Sequence, residues 1–200
     1  GEAEFEPNEQ RLEATEFNKE IIAGTIAPPG DIDWYKIKVE GEDKYILSAH
    51  LSAAPGMDLK LTFANDLGNP LLDMDNLGKE QPETLTGVGV TKGEYYLIVS
   101  EKSGKLAEAQ RSYSLTKTLI AFQQGLEYEV NNSSTQSQMM QVGESIDGYL
   151  APQGDVDWYE FNVYTSAKII TELTGVLNVA FSMALYDQDY ALIADKAGKS

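Results

Sequence analysis

A long stretch of this chain occurs twice. Gly24-Thr25-Ile26-Ala27-Pro28-Pro29-Gly30-Asp31-Ile32-Asp33-Trp34-Tyr35-Lys36-Ile37-Lys38-Val39 returns as Gly148-Tyr149-Leu150-Ala151-Pro152-Gln153-Gly154-Asp155-Val156-Asp157-Trp158-Tyr159-Glu160-Phe161-Asn162-Val163, with nine of sixteen positions identical and three more exchanging one apolar residue for another. Trp158 follows Trp34 by 124 residues. A period that long gives each copy room for its own core, so it marks a domain duplication and not a solenoid. Whatever the repeated residues do, they must do it in two places.

Between and after these stretches the dominant pattern has period two, broken by turn residues. Tyr45, Leu47, Ala49 and Leu51 alternate with Ile46, Ser48 and His50; Leu59, Leu61 and Phe63 with Lys60 and Thr62; Tyr95, Leu97 and Val99 with Tyr96 and Ile98. In the second copy Leu177, Val179, Phe181, Met183 and Leu185 do the same. Asn65-Asp66-Leu67-Gly68-Asn69-Pro70, Asp75-Asn76-Leu77-Gly78 and Lys102-Ser103-Gly104 read as turns. Many short strands with frequent turns predict an all-β chain of tandem antiparallel β-sandwich domains. Helix is expected only as a turn or two within Gln10 to Glu20 and another within Leu106 to Gln110. Residues 1–120 form the first domain, 121–126 a linker and 127–200 a second copy. That copy is incomplete at its C-terminus: the first copy runs on for some forty residues beyond Gly78, the second for two beyond the matching Gly198. Lacking the counterparts of Thr86–Val90, Tyr95–Val99 and Tyr113–Leu119, it is expected to pair its open edge with the rest of its own chain or with another chain.

Acidic residues outnumber basic ones 32 to 15, a net charge of −17. Such a field disfavours nucleic acid and anionic membrane and favours hard cations. The absence of cysteine removes disulfides, thiolate metal sites and cysteine catalysis together. No stretch of these 200 residues reads as a signal peptide or as a span of about 20 apolar residues.

The repeated strand carries the chemistry. Side chains alternate faces, so Tyr35, Ile37 and Val39 point one way and Trp34, Lys36 and Lys38 the other. The apolar set must face the core, and by the same parity Asp31 and Asp33, and in the second copy Asp155 and Asp157, fall on the core side. An inward carboxylate is costly unless something satisfies it. Either each pair sits at the sandwich rim and caps loop N–H groups, or it coordinates a cation. The head of each copy offers further oxygen ligands: Glu4, Glu6 and Asn8 alternate, as do Glu127, Glu129 and Asn131. Several carboxylates with an amide carbonyl suit Ca2+, which takes 6–8 oxygens at roughly 2.3–2.6 Å. Such a site would staple the leading segment to the first long strand.

The Glu-x-Glu-Pro-Asn head, Gly-Asp-x-Asp-Trp-Tyr-x-Ile-x-Val and the later Gly93-Glu94-Tyr95-Tyr96-Leu97-Ile98-Val99 together resemble the bacterial pre-peptidase C-terminal domain family, over nearly all of the first copy and two-thirds of the second. The resemblance implies a jelly-roll-like β-sandwich, appended to secreted proteases and other exported bacterial proteins, and therefore a secreted, periplasmic or cell-surface location. It also implies relatedness to the collagen-binding domains of clostridial collagenases. Carried over by motif, it implies calcium ligation by Glu4, Glu6, Asn8, Asp31 and Asp33, and by Glu127, Glu129, Asn131, Asp155 and Asp157. The expected role is a non-catalytic accessory or binding module, with a polysaccharide or an extracellular protein as partner, or the non-catalytic part of a larger secreted hydrolase.

Trp34 and Trp158 stand at the outward parity, where an aromatic serves either as a platform for carbohydrate or peptide or as a residue covered by a neighbouring loop. His50 is the only histidine, without a Gly-x-Ser-x-Gly elbow and without a counterpart in the second copy. Asp73-Met74-Asp75-Asn76-Leu77-Gly78 begins like an EF-hand loop but has Leu77 at position five and Thr84 at position twelve. Nothing in the chain reads as an enzyme active site.

Overall fold

The alternating segments form fourteen short strands in the computed structural model, which describes residues 2–75, 77–151, 154–175 and 179–197. In chain order these are β1 (Glu2–Ala3), β2 (Thr15–Glu16), β3 (Ile21–Gly24), β4 (Ile32–Val39), β5 (Tyr45–Leu51), β6 (Leu59–Ala64), β7 (Pro70–Met74), β8 (Glu83–Val90), β9 (Gly93–Glu101), β10 (Tyr113–Ala121), β11 (Gln138–Met139), β12 (Tyr159–Glu160), β13 (Ser182–Tyr186) and β14 (Leu192–Ala197). Asn76, Pro152, Gln153, Leu177 and Gly198, which enter the sequence argument, lie outside the described residues. The chain forms two compact units, 1–162 and 163–200.

The first unit is a β-sandwich. One sheet has the order β1-β3-β10-β5-β8, the other β2-β4-β9-β6-β7. Ile22, Leu47, Leu51, Leu85 and Leu115 from the first sheet meet Ile37, Leu61, Phe63, Leu97 and Val99 from the second in one buried core. The parity of β4 decides what enters it: Tyr35, Ile37 and Val39 are buried, while Lys38 is exposed and Trp34 and Lys36 are half-buried. Asp31 and Asp33 are buried with the apolar set.

Most neighbouring strands run antiparallel, but each sheet ends in a two-residue parallel strand from the leading segment. β1 pairs with β3 and β2 pairs with β4. Residues 4–14 therefore cross from the edge of one sheet to the edge of the other and close one end of the sandwich. Thr15 ties this crossing together. Its Oγ1 accepts from Phe5 N (3.0 Å) and from Asn8 Nδ2 (3.3 Å), and donates to the Phe5 carbonyl (3.1 Å). The backbone continues the pattern, with Trp34 N donating to the Asn8 carbonyl (2.9 Å) and Phe17 N to the Lys36 carbonyl (2.8 Å).

Helix is sparser than the sequence suggests. Gln10 to Glu20 holds one 3-10 turn, Arg11–Glu13, before the chain is drawn into β2. Leu106 to Gln110 is not helical. The buried Glu101 carboxylate takes the N–H groups of Lys105 (3.2 Å) and Leu106 (3.4 Å), and Glu108 N goes to the Ile26 carbonyl (2.7 Å). The first two donors are held by a side chain four and five residues back and the third by a carbonyl far along the chain, and none by a helical ladder.

The head of the second copy lies within the first unit. Leu126 bridges to Asp147, and β11 pairs in parallel with β12, as β2 does with β4. Where β4 spans eight residues, β12 spans two. Among the described residues β12 has one neighbour, β11, whereas β4 is held between β2 and β9, and a strand paired on one side has fewer bonds to extend it. In the second unit β13 and β14 form an antiparallel hairpin with a bulge between Leu185 and Tyr186. Asp187 Oδ1 accepts from Asp189 N and Ala191 N, both 2.9 Å, as Asn65 Oδ1 accepts from Leu67 N and Asn69 N in the first copy. Val179 and Phe181, expected in a strand, precede β13.

Because one hydroxyl holds both ends of the crossing, Thr15→Val is expected to cost about 1–3 kcal/mol through the donors it leaves unmatched. Amide exchange over residues 4–14 should rise more than in the β5–β10 pairing. Uniform loss of protection across both sheets would contradict this assignment.

Candidate metal centres

The crossing segment brings Glu4, Glu6 and Asn8 to the end of β4, beside Asp31 and Asp33. Carboxylate oxygens of Glu4, Glu6 and Asp33 lie within 4.8 Å of one another. Two oxygens on opposite sides of one Ca2+ stand about 4.6–5.2 Å apart, so this spacing fits a single ion. Asp33 and Asn8 are 0% exposed and Asp31 is 4% exposed. Oδ1 of Asn8, Asp31 and Asp33 has no hydrogen-bond donor among the described residues. No Lys or Arg forms an ion pair with Glu4, Glu6, Asp31 or Asp33 among these residues. Buried acceptors without donors, beside unpaired acids, form a donor set suited to a hard cation.

The remaining oxygens are engaged in ways that fix the cluster. Glu4 Oε1 accepts from Thr25 N (2.6 Å) and Thr25 Oγ1 (3.1 Å), and Glu4 Oε2 from the Tyr35 hydroxyl (2.8 Å). The Tyr35 and Tyr113 hydroxyls meet at 2.5 Å, and Tyr113 donates to Asp33 Oδ2 at 2.5 Å. Asp31 Oδ2 caps Ala27 N (2.7 Å), and Glu6 Oε2 takes Asn8 N (3.0 Å). Glu4, Tyr35, Tyr113 and Asp33 thus form a chain of three close oxygen contacts across the sandwich, served by the two tyrosine hydroxyl hydrogens. Burial, reinforced by Glu4, Asp31 and Glu6, pushes Asp33 up to about 8, against the Tyr113 hydrogen bond that pulls it down. Burial also raises Glu6, with Asp31 and Glu4 adding to it, and raises both tyrosines.

The second copy repeats this arrangement closely. Glu127 Oε1 accepts from the Tyr159 hydroxyl (2.5 Å) and Asn131 Nδ2 (2.9 Å), and its Oε2 from Tyr149 N (2.5 Å). Asp155 Oδ2 caps Ala151 N (2.8 Å), Glu129 Oε2 takes Asn131 N (3.1 Å), and Trp158 N donates to the Asn131 carbonyl (2.9 Å). Here oxygens of Glu129, Asp155 and Asp157 lie within 4.8 Å of one another. Asn131 is 0% exposed, and Oδ1 of Asn131 and of Asp157 lacks a donor among the described residues. Burial pushes Glu129 up to about 7, opposed by the Asn131 N–H, and raises Asp155 and Asp157 as well.

Every acid singled out in the sequence therefore stands in or beside one of two clusters. The tightest trios differ: Glu4 belongs to the first and Asp31 flanks it, while Asp155 belongs to the second and Glu127 flanks it. Sequence reasoning placed Tyr35 on the core face and Tyr113 in a strand, and missed their hydroxyls. A tyrosine repeated as Tyr159 where phenylalanine would pack equally well was the available signal. It also missed why Gly24 and Gly148 recur. A Cβ at Gly24 would fall on the Tyr35 hydroxyl, Glu4 Oε2 and the Tyr113 hydroxyl, and one at Gly148 would stand 2.6 Å from Glu127 Oε2.

Trp34 lies on the outer face, half-buried, with its ring edge-on to Tyr96 at 5.6 Å and packed with Ala14, Ala64 and Ile98. Gly68, in the β6–β7 turn, closes over it. Trp158 is half-buried. His50 is exposed on β5, with Nδ1 at 3.1 Å from Thr84 Oγ1.

No family model and no curated protein matches this chain. A solved structure similar to it is the pre-peptidase C-terminal domain of a collagenase from Bacillus anthracis, at 16% sequence identity, covering 58% of this chain and 95% of that chain, with a TM-score of 0.41.

Two outcomes are expected. Gly24→Ala crowds the hydroxyl–carboxylate chain and should cost about 1–3 kcal/mol in urea unfolding, whereas Gly78→Ala, with open space at its Cβ but a positive φ, should act through backbone strain alone. Asp33 holds its proton more tightly folded than unfolded, so its contribution is full below its ordinary value of 3.8 and is lost as pH rises to about 8. With chelator present, wild type should therefore lose more stability between pH 5 and pH 8.5 than Asp33→Asn; parallel pH profiles would refute that origin.

Proposed function

We propose that this chain is a non-catalytic, exported accessory module of tandem β-sandwich type, in which calcium fastens the leading segment of each copy. The observation that carries this reading is the duplicated convergence of carboxylates on buried oxygens that have no donor and no cationic partner among the described residues. A chance acidic patch would not reproduce the same bonds in two copies of differing sequence.

Glu4, Glu6, Asn8, Asp31 and Asp33 would hold the ion in the first copy, and Glu127, Glu129, Asn131, Asp155 and Asp157 in the second. Bound Ca2+ supplies the positive charge that lets neighbouring carboxylates ionise together. The chain's own groups do the positioning. Tyr35 and Thr25 orient Glu4, and Tyr113 orients Asp33. Asn8 offers its side chain to the cluster while its carbonyl holds Trp34 N. Fastening these residues closes the sandwich end that the crossing segment spans.

The motif resemblance supports export, an accessory role beside a secreted hydrolase, and an extracellular matrix protein as partner; a polysaccharide partner would rest on the outward aromatics. The packing of Trp34 against Tyr96 favours a structural role for that ring over a stacking platform.

A thermal or urea melt in chelator and in excess Ca2+ tests the reading. Saturation at about 100 times the dissociation constant should add about 2.7 kcal/mol per site. Asp33→Asn should lose the first site's share and Asp157→Asn the second's. A midpoint that ignores Ca2+ in wild type would sink the proposal.

A further inference from the structure

The second cluster does something the first cannot, because its central acid also belongs to a strand edge. β8 is the outer strand of its sheet, paired on one side with β5. Its other side is met by the head of the second copy. Val88 and Glu129 form a parallel bridge, in which Gly89 N donates to the Glu129 carbonyl (2.5 Å) and Glu129 N to the Gly87 carbonyl (2.8 Å). Flanking side chains secure the contact. Val130 packs against the main core. The Tyr128 ring lies so close to Gly89 that a Cβ there would stand 2.8 Å from Tyr128 Cδ2. Lys44 Nζ sits 3.5 Å from the centroid of Tyr128, and Phe122 meets that ring edge-on at 5.5 Å. Glu129 therefore spends its backbone on β8 and its carboxylate on Asp155 and Asp157.

The first copy supplies an internal contrast. Its equivalent segment is Phe5-Glu6-Pro7, where Phe5 is 78% exposed, Glu6 and Pro7 are exposed, and no strand edge lies alongside among the described residues.

We infer that the second cluster is a cation-controlled clamp that fastens the head of the second copy onto the β8 edge of the first sandwich. This rests on the calcium reading given above and goes beyond it. Without a cation, Glu129, Asp155 and Asp157 must either share protons or separate, and separation of Glu129 takes its two backbone bonds to β8 with it. With the charge balanced, Glu129 is held from both sides and the free edge of β8 is covered, as exposed edges require. Occupancy of one site then controls whether the head of the second copy stays docked on β8.

The test uses amide exchange in the full chain, by NMR, with chelator or with excess Ca2+ as the probe. Gly89 and Glu129 report the clamp, Trp158 reports the second site through its bond to Asn131, and Trp34 reports the first through its bond to Asn8. Ca2+ is expected to slow exchange at Gly89 and Glu129 about tenfold or more. Asp157→Asn, with Asp155→Asn as a second variant should the first not fold, should abolish that gain and leave the gain at Trp34. Slower exchange at Trp158 without any at Gly89 and Glu129 would overturn the clamp while leaving the calcium reading intact. Indifference at Trp34 and Trp158 alike would overturn both. A gain at Gly89 that survives both variants would place its origin in the first site and also overturn the clamp.

Discussion

The fold of the first unit turns on a buried chain of oxygens, Glu4 to Tyr35 to Tyr113 to Asp33. It joins the leading segment to β4 in one sheet and β10 in the other. Elsewhere the two layers are held by apolar contact, which is strong but indifferent to exact position. This chain is directional, and each group in it has few alternative partners once water is excluded. It fixes where the sheet ends lie relative to each other and where the leading segment crosses. Gly24 is glycine because a side chain there would occupy the same space.

That arrangement places negative charge where it is poorly solvated. Four acids stand at the end of β4, two of them buried, with no basic partner among the described residues. Ordinary proteins avoid such a cost or balance it. Here it is kept twice, with the same caps on Ala27 and Ala151 and the same hydroxyls on Glu4 and Glu127. Retention of an unfavourable arrangement in two copies that otherwise differ in sequence is what gives the cation reading its weight. Glu129 belongs both to the second cluster and to the backbone bridge on β8.

Much was legible along the chain because it depends on neighbours in sequence. Period-two alternation placed β5, β6, β9 and β10, and the parity of β4 sent Asp31 and Asp33 inward with Tyr35. What failed were local signals overruled by competing or missing partners. Leu106–Gln110 had helix-forming residues, but Glu101 and Ile26 took their donors. The long strand expected after Trp158 is two residues, because among the described residues β12 has a partner on one side only.

The duplication, the acidic heads and the inward parity of the aspartates follow from the amino-acid order itself, since spacing alone sets which side chains share a face. Tertiary structure decided which acids meet, that Tyr113 reaches Asp33 across 80 positions, and that Glu129 lies on the edge of β8. Those contacts join segments whose separation in sequence carries no geometric information, and only the packing of two sheets against each other brings them within bonding distance.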